Sequence, residues 1–330
     1  MPVDFKNKTV LITGASGFLG AHIAEELVAR EASVVALAHD VKKHSYLVLE
    51  GLDKRMDTCH GDITSLERMQ EVMANYEVEY VFHCAADAIV RTCSNDPLGC
   101  FRVNILGTAI VLEAARSVGT VKGVMCMESD KSYGSFDSKD LPYREDQALK
   151  PSNVYEVSKA CAGLVAKAYD HNYNLPTFTI RGANLYGPGD MNLSRIIPGS
   201  ILRILNGEAP VLYGGVGKYI REFIYVQDAA LAIVKLMERI EDTRGHAINL
   251  GSGSKHKVAD VMELICKLSG SALRPVIVEK VETFKEIEEQ WLALDKLFSF
   301  LPNFSPIGLE EGLRKTIKWY TKFQAMKEGR

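Results

Sequence analysis

Tyr155 and Lys159 are the two side chains whose types and spacing best suit proton transfer. A free tyrosine has a pKa of about 10, which is too high for a base near neutral pH. On a helix, a lysine four residues later lies one turn away on the same face, and its positive charge would favour the phenolate. The same spacing is common on ordinary helix faces. The pair therefore predicts acid–base chemistry only where other motifs bring a reactant to it.

The segment TGASGFLG has glycines at positions 14, 17 and 20, after an apolar run and at the start of an amphipathic stretch. The first glycine permits a tight turn, the second lets the backbone approach a pyrophosphate, and the third lets helix pack on strand. The helix N-terminus adds N–H donors and the positive end of a dipole. A glycine-rich turn without a ligand is the simpler alternative. The combination favours a dinucleotide cofactor, contacted by Gly14, Ser16, Gly17, Phe18, Leu19 and Gly20.

Acidic residues farther along are candidates for the nucleoside part of that cofactor. Asp62 and Ile63 follow a strand-like segment, where an aspartate can accept from the adenine amino group, although Asp62 could equally cap a helix starting near Ser65. Asp40 stands at the end of the second strand, where an acid would meet the ribose 2′-hydroxyl. The basic run 42–44 could instead meet a 2′-phosphate or form a solvated loop. These residues favour NAD over NADP.

The first half of the chain alternates short apolar runs with amphipathic stretches, which is typical of βαβ units. We predict strands at 9–13, 33–38, 80–84, 123–127 and 177–181, and helices at 18–30, 97–118 and 153–173. Clustered Gly and Pro after Arg181 indicate the loops of a second lobe. The predicted fold class is α/β, a Rossmann-type doubly wound parallel sheet with a smaller α/β substrate lobe. The predicted sheet domain spans 1–181, rejoined by about 219–240, and the lobe spans 182–218 and 241–330.

Composition limits the function classes. The chain has 330 residues, 47% hydrophobic and 25% charged, with a formal net charge of −3, so no global positive field favours nucleic acid. We find no apolar run long enough to cross a bilayer and no apolar leader, and we expect a cytoplasmic protein. The seven cysteines form no C-x-x-C pair and no metal-ligand spacing. They predict free thiols in a reducing compartment and no metal site.

Several motifs occur together in a fixed order: TGASGFLG, HCAA, FRVNILGT, Tyr155-x-x-x-Lys159, RGANLYGPGD and REFIYVQD. This set resembles the extended short-chain dehydrogenase/reductase family over nearly the whole chain. Members mostly modify nucleotide sugars with a tightly held NAD(P). The resemblance implies that Tyr155 is the catalytic base and that Lys159 is its partner and binds the nicotinamide ribose. It adds Ala85, Ala86 and Asn104 to the cofactor site and implies a homodimer through paired long helices.

The predicted strand 123–127 ends in a charged turn, ESDKSYG. The resemblance implies that Ser129 hydrogen-bonds the sugar hydroxyl that is oxidised. Sugar 4-epimerases have small residues at the next two positions, whereas 4,6-dehydratases have an Asp followed by Glu or Lys. Asp130 and Lys131 therefore resemble the dehydratases, and the run AIVRTCSNDPLGCFRVNILGT looks most like the CDP-glucose 4,6-dehydratases. A solvated charged turn without a catalytic role is the alternative.

Dehydratase chemistry needs two ionisable groups because oxidation at C4 acidifies the C5–H bond. A base then removes the C5 proton, an acid protonates the departing C6 oxygen, and a hydride returns to C6. Asp130 fits the acid and Lys131 the base if their surroundings adjust their pKa values. Glu128 is charged where the family usually has a small polar residue, so it is a second candidate for the C5 base.

A nucleotide-diphosphate sugar carries a pyrophosphate, on which cations should converge. Asn184, Arg195 and Arg221 match family positions that hold phosphate and nucleotide, and Arg91 could reach the same site. Each has a simpler alternative. These are a turn for Asn184, an exposed helical turn for Arg195, an ion pair with Glu222 for Arg221, and a surface salt bridge for Arg91.

Three functional hypotheses follow. The first is a nucleotide-sugar 4,6-dehydratase, which is a lyase. The second is a 4- or 2-epimerase of the same family, since related epimerases can also carry a lysine in this turn. The third is a cofactor-binding regulatory protein without turnover, which the intact Tyr155 and Lys159 disfavour. The sequence leaves the nucleotide base open, because its pocket would consist largely of backbone and loops.

Overall fold

The computed structural model describes residues 2–40, 44–279, 287–327 and 329. The strands are β1 (Thr9–Thr13), β2 (Ser33–Ala38), β3 (Asp57–His60), β4 (Tyr80–His83), β5 (Gly123–Met127), β6 (Thr177–Gly182), β7 (Asn184–Tyr186), β8 (Val211–Tyr213), β9 (Ile220–Tyr225), β10 (Ala247–Leu250), β11 (Lys255–Lys257), β12 (Val276–Val278) and β13 (Glu289–Gln290). The helices are α1 (Phe18–Ala29), α2 (Tyr46–Leu49), α3 (Leu66–Asn75), α4 (Val90–Asn95), α5 (Pro97–Phe101), α6 (Gly107–Val118), α7 (Val154–Tyr173), α8 (Ile196–Leu205), α9 (Val226–Glu238), α10 (Ile240–Thr243), α11 (Val258–Leu268), α12 (Asp295–Phe300) and α13 (Leu309–Lys327).

A seven-stranded parallel sheet in the order β10-β6-β5-β4-β1-β2-β3 forms the centre of the protein. Side chains of α1 and α9 cover one face of the sheet, and those of α3 and α6 cover the other. The strand order reverses between β1 and β4, and in such sheets ligands bind in the crevice at the carboxyl ends of the strands beside that point. The predicted doubly wound sheet is therefore confirmed.

The smaller lobe has two short sheets, β11-β9-β13 with β7 also paired to β9, and β12-β8. The predicted boundaries differ from the structure in two places. β9 lies in the small sheet, and only α9 of the segment 219–240 returns to pack on α1. β10 was predicted within the lobe but forms the edge of the large sheet beside β6. Four residues, AINL, are too few to show which sheet they join.

The predicted helix 97–118 consists of α5, a π-helical segment at Arg102–Leu106, and α6. By length and composition, Pro97–Val118 is apolar enough to cross a membrane, with a mean hydropathy of 1.5 over an 18-residue window. Arg102 and Glu113 interrupt this helix, so it is not the uninterrupted apolar run that the sequence analysis looked for. In the structure, α6 packs against α3 and α7, and Val111 and Leu112 are fully buried. The buried apolar residues of this segment therefore serve packing between helices, whereas Leu98 and Leu106 are exposed.

Cys93 in α4 and Cys100 in α5 form a disulfide, whereas the sequence predicted free thiols. The other five cysteines of the chain are free. The two short helices fold back on each other, which brings residues seven positions apart to a Cα–Cα distance of 5.0 Å. That approach depends on the helical turn and not on a recognisable cysteine spacing.

Candidate active site

The first two turns of α7 fix the predicted acid–base pair. The helix begins with a capping box: the Asn153 side chain accepts the Glu156 N–H at 3.0 Å, and the Glu156 carboxylate accepts the Asn153 N–H at 3.4 Å. Tyr155 and Lys159 then lie one turn apart, and both are buried. Lys159 Nζ donates to the Met127 carbonyl oxygen at 2.9 Å, which holds the pair against the end of β5.

Burial shifts the pKa values of both side chains. It lowers the pKa of Lys159 to about 8. It also raises the pKa of Tyr155, and this effect exceeds the lowering caused by the Ser129 hydroxyl and the positive charge of Arg195. The sequence predicted a lowered Tyr155 pKa, but the structure gives a raised one. Desolvation of the phenolate is the larger effect.

The charged turn after β5 is a short 3₁₀ turn with Ser129 as its cap. Ser129 Oγ accepts the Lys131 N–H at 3.2 Å and donates to Asp130 Oδ1 at 3.2 Å. Asp130 is only 4% exposed, and its Oδ2 atom has no hydrogen-bond partner among the described residues. Burial raises the pKa of Asp130 to about 6, against the opposing charges of Lys131 and Arg221. This carboxyl group can therefore hold a proton close to neutral pH.

Glu128, two residues before Asp130, has different surroundings. Its Oε1 atom accepts from Arg181 Nε at 3.0 Å, and both side chains are almost fully buried. The guanidinium carbon of Arg181 also lies 4.8 Å above the centre of the Tyr133 ring. The carboxylate fits against the backbone of Gly163 in α7. Glu128 thus lies in a buried ion pair between β5, β6 and α7, a geometry that does not suit the alternative role of C5 base.

The glycine-rich loop fits a dinucleotide pyrophosphate. Gly14 has a φ of +71°, and a Cβ there would lie 2.7 Å from the backbone nitrogen of Ala85 after β4. A Cβ at Gly17 would meet only the Gly14 carbonyl oxygen, at 3.0 Å, so its other side is open. A Cβ at Gly20 would overlap the same carbonyl group. α1 begins at Phe18 without a side-chain cap, which leaves N–H groups of the first turn available to an anion.

Two of the acids predicted for the nucleoside lie at strand ends. Asp40 is exposed at the end of β2, and its carbonyl oxygen accepts from Ser16 Oγ at 3.1 Å, which ties it to the glycine loop. Asp62 Oδ1 accepts the Thr64 N–H at 2.8 Å, and this bond lowers the Asp62 pKa. Asp62 therefore stabilises the turn before α3, but the capping role considered as its alternative is wrong, because Ser65 Oγ accepts the Arg68 N–H at the start of that helix. The Asp62 carboxylate is exposed. Ile63 is buried.

The basic run 42–44 was the alternative pointing to NADP. Residues 42 and 43 lie outside the described residues. The His44 ring lies 6.3 Å from the Phe323 ring of α13, an edge-on contact on the smaller lobe. At the end of β2, the contact with the glycine loop is made by Asp40, whose carbonyl oxygen accepts from Ser16 Oγ.

Asn104 lies within the π-helical segment and is buried. Its Oδ1 atom accepts the Asp87 N–H at 2.7 Å, and its Nδ2 atom donates to the Asp87 carbonyl oxygen and to Ser158 Oγ, both at 2.9 Å. Asn104 thereby fixes the loop that contains Ala85 and Ala86 against α7. These contacts indicate that it shapes the cofactor crevice through the loop.

The predicted substrate residues differ in their surroundings. Arg195 Nη1 pairs with Oδ2 of the buried Asp190 at 3.1 Å, at the start of α8. Asn184 Nδ2 donates to the Glu222 carbonyl oxygen at 3.0 Å. Arg91 is exposed on α4, and among the described residues no polar contact ties it to the other three. The charge of Arg195 acts on Tyr155, so Arg195 lies within electrostatic reach of the proposed base.

Arg221 is 8% exposed, and its guanidinium donates to the Glu288 carbonyl oxygen at 3.0 Å. The proposed surface ion pair with Glu222 is wrong. The Glu222 carboxylate is buried and accepts the N–H groups of Gly253 at 2.7 Å and Leu292 at 2.9 Å. Arg221 and Glu222 thus tie β9 to different segments, and the charge of Arg221 acts on Asp130.

Several of these partners escaped the sequence analysis. Asp190 is the last residue of the quoted run RGANLYGPGD, and an acid so close to Arg195 is a signal that could have been used. Arg181 and Glu222 gave no local signal, since their partners lie 53 residues and 31 or more residues away. Among the described residues, no group of three or more His, Cys, Asp or Glu side chains could hold a metal ion.

Comparisons with known proteins agree with this geometry. The sequence profile of the NAD dependent epimerase/dehydratase family matches residues 10–251. The chain is 30% identical over 333 residues to a trifunctional UDP-glucose 4,6-dehydratase/UDP-4-keto-6-deoxy-D-glucose 3,5-epimerase/UDP-4-keto-L-rhamnose-reductase of Arabidopsis thaliana. The match covers 96% of this chain and 48% of the plant protein, so the chain spans about half the length of that relative.

Solved structures of both reaction types are similar to this fold. UDP-glucose 4-epimerase of Thermotoga maritima, solved with UDP-glucose, is 25% identical with a TM-score of 0.86, and the match covers 96% of this chain and 99% of that one. The dTDP-glucose 4,6-dehydratase DesIV of Streptomyces venezuelae, solved with NAD and TYD, is 25% identical with a TM-score of 0.85, covering 96% and 98%. The chain belongs to the NAD-dependent epimerase/dehydratase family, within the extended short-chain dehydrogenases that its motifs resemble.

Proposed function

We propose that this protein is an NAD-dependent nucleotide-sugar 4,6-dehydratase. The observation that carries the proposal is Asp130, a buried carboxyl group with a pKa of about 6, hydrogen-bonded to Ser129 beside Tyr155. One of its oxygen atoms has no hydrogen-bond partner among the residues that the structure describes. A dehydratase needs an acid for the departing C6 oxygen, whereas an epimerase, which moves hydride to and from one carbon, does not.

NAD held at the glycine loop, by Gly14, Gly17 and the N-terminus of α1, would supply the hydride acceptor for the sugar C4 carbon and the hydride donor for C6. Ser129 holds the C4 hydroxyl group, and Tyr155 removes its proton. The C4 ketone acidifies the C5–H bond, and Lys131 takes the C5 proton. Asp130 gives its proton to the C6 oxygen, which leaves as water, and Lys131 then returns a proton to C5. Each step uses a side chain of the two segments that meet at the end of β5.

The substrate we propose is a nucleotide-diphosphate sugar. Arg195 and Arg221 both act electrostatically on the catalytic side chains, and cations beside the reacting groups suit a pyrophosphate linked to the reacting sugar. Asn184 in the same lobe supplies a half-buried amide. Arg91 is exposed beside the crevice loop and is the weaker member of this set.

The direct test is to incubate the protein with a panel of CDP-, UDP-, dTDP- and GDP-sugars and to measure the mass of each product. A dehydratase product is lighter than its substrate by one water. A product of unchanged mass and altered sugar configuration would replace the proposal with an epimerase. Retention of NAD without turnover of any member of the panel would favour a regulatory protein.

We also propose that two copies of the chain pair through α5, α6 and α7. Leu98 and Leu164 on these helices are 81% and 59% exposed, and Leu106 between α5 and α6 is 50% exposed. Burying such side chains contributes about 25 cal/mol per Å². Leu164→Glu should convert a dimer to monomers in sedimentation analysis. Monomers of the unmodified chain at micromolar concentration would contradict this arrangement.

A further inference from the structure

A disulfide lies directly behind the proposed base. Cys93 and Cys100 are joined, and neither has any solvent exposure. They form one apolar cluster with Tyr155, flanked by Val90 and Val154. The helices that carry them, α4 and α5, both pack against α7. The covalent link therefore holds together the wall on which the Tyr155 side chain packs.

The same sulfur atoms contact two polar segments of the site. Cys93 Sγ lies 3.6 Å from the carbonyl oxygen of Asp87, in the loop fixed by Asn104. Cys100 Sγ lies 3.6 Å from Ser158 Oγ on α7. Both oxygen atoms can accept a hydrogen bond, so a thiol at either cysteine would have an acceptor nearby. The surroundings therefore accommodate the reduced pair as well as the disulfide.

The two forms differ in how firmly this wall is held. Without the S–S bond, the only covalent connection between α4 and α5 is through Asp96, and the sulfur atoms must separate to van der Waals distance. Burial is the main cause of the raised Tyr155 pKa, so a looser wall that admits water changes the proton affinity of the phenol.

We propose that the Cys93–Cys100 disulfide is a positioning element of the active site, and that its reduction by a dithiol slows turnover. In that step the S–S bond breaks, each sulfur gains one electron and one proton, and the dithiol is oxidised to its own disulfide. The proposal rests on the assignment of Tyr155 as the base for C4 oxidation, and the cysteines act through that residue. Reducing compartments contain such dithiols, so the proposed cytoplasmic location makes this reaction available.

The first measurement counts thiols. Native protein is incubated with dithiothreitol or with buffer alone and then unfolded in the presence of iodoacetamide. Its mass is measured by mass spectrometry. We expect five alkylated cysteines before reduction and seven after it. Seven before reduction would contradict the disulfide. Five after reduction of the native protein would contradict control by dithiols.

The second measurement separates positioning from simple stability. In Cys93→Ala/Cys100→Ala, kcat should fall roughly 10- to 100-fold, as expected for a displaced catalytic group, with KM changed less than about twofold. The reduced parent protein should match it and recover on reoxidation, and dithiothreitol should leave the double variant unchanged. Cys266→Ala removes a buried free cysteine of α11 and is the matched control. Unchanged kcat in the double variant would overturn the proposal.

A third readout needs no substrate. The Tyr155 phenol is titrated by NMR in protein with labelled tyrosine, with the signal assigned through Tyr155→Phe. We expect its pKa to fall in the reduced and double-variant proteins and to stay constant in Cys266→Ala. If no sugar of the panel turns over, the proposed function fails, whereas the thiol count and this titration still decide whether the disulfide controls Tyr155. An identical Tyr155 titration in all forms would contradict that control.

Discussion

Glu128 and Asp130 are two buried carboxyl groups, 3% and 4% exposed, at the same end of β5. Burial raises the pKa of both. Glu128 is paired with the buried guanidinium of Arg181, whereas Asp130 is hydrogen-bonded to the neutral Ser129 hydroxyl. Each carboxyl group has one oxygen atom without a hydrogen-bond partner among the described residues. The difference shows that burial alone does not define a catalytic acid. The charges of Lys131 and Arg221 act on Asp130 without a hydrogen-bonded ion pair to it among the described residues, which leaves Asp130 able to exchange a proton. The hydrogen-bonded Arg181 makes Glu128 an anchor.

The largest expected effect is on dehydration by Asp130→Asn, which keeps the shape but cannot protonate the C6 oxygen. Formation of the lighter product should fall roughly 10²- to 10⁴-fold. Tyr155 and Lys159 remain, so C4 oxidation should continue and reduced nicotinamide should accumulate, measured by its absorbance. Asp140→Asn, an exposed neighbour, is the control. Near-normal formation of the lighter product would remove Asp130 from the mechanism.

The next effect is on stability, through the anchor. Arg181→Leu leaves the Glu128 carboxylate buried without its partner and should lower the free energy of unfolding by about 3–5 kcal/mol. Glu128→Leu/Arg181→Leu should recover most of that loss, measured by urea unfolding. Arg116→Leu breaks the exposed pair with Glu113 and should cost less than about 1 kcal/mol. If Arg181→Leu and Arg116→Leu lower the free energy of unfolding equally, the buried pair is not an anchor.

Asp130 should also affect stability in a pH-dependent way. Its pKa is about 6 in the folded protein and 3.8 ordinarily, so the folded state binds this proton more tightly. The resulting stabilisation is fully present below about pH 4 and is lost as the pH rises through about 6. Asp130→Asn avoids that loss, and at about 1.4 kcal/mol per pKa unit it should be more stable than the parent by about 3 kcal/mol above pH 7. Thermal unfolding across this range tests the sign, and a difference independent of pH would contradict it.

The smallest effect belongs to Glu128→Gln. The amide keeps the shape and can still accept from Arg181, so kcat below the unfolding temperature should stay within about tenfold of the parent. Lys131→Met, by contrast, removes the proposed C5 base and should reduce dehydration roughly as much as Asp130→Asn. If Glu128→Gln loses dehydration while Lys131→Met keeps it, the two residues exchange roles.

Local patterns predicted the parts of the site that depend on local structure. The glycines of the cofactor loop follow from one strand–helix turn, and α7 with its Tyr155 and Lys159 follows from one amphipathic stretch. The pKa of Asp130 could not be predicted, because its desolvation depends on elements distant in the chain. The same holds for Arg181, which joins β6 to β5, and for the Cys93–Cys100 link, which depends on how two short helices fold back.

The central claim, that this site dehydrates a nucleotide sugar, is tested most directly by the mass of the product formed in D₂O. The amine of Lys131 exchanges its protons with solvent, so the proton returned to C5 should be deuterium. We predict a product lighter than the substrate by one water and carrying one deuterium, located at C5 by NMR. A product of unchanged mass without deuterium would contradict the dehydratase mechanism.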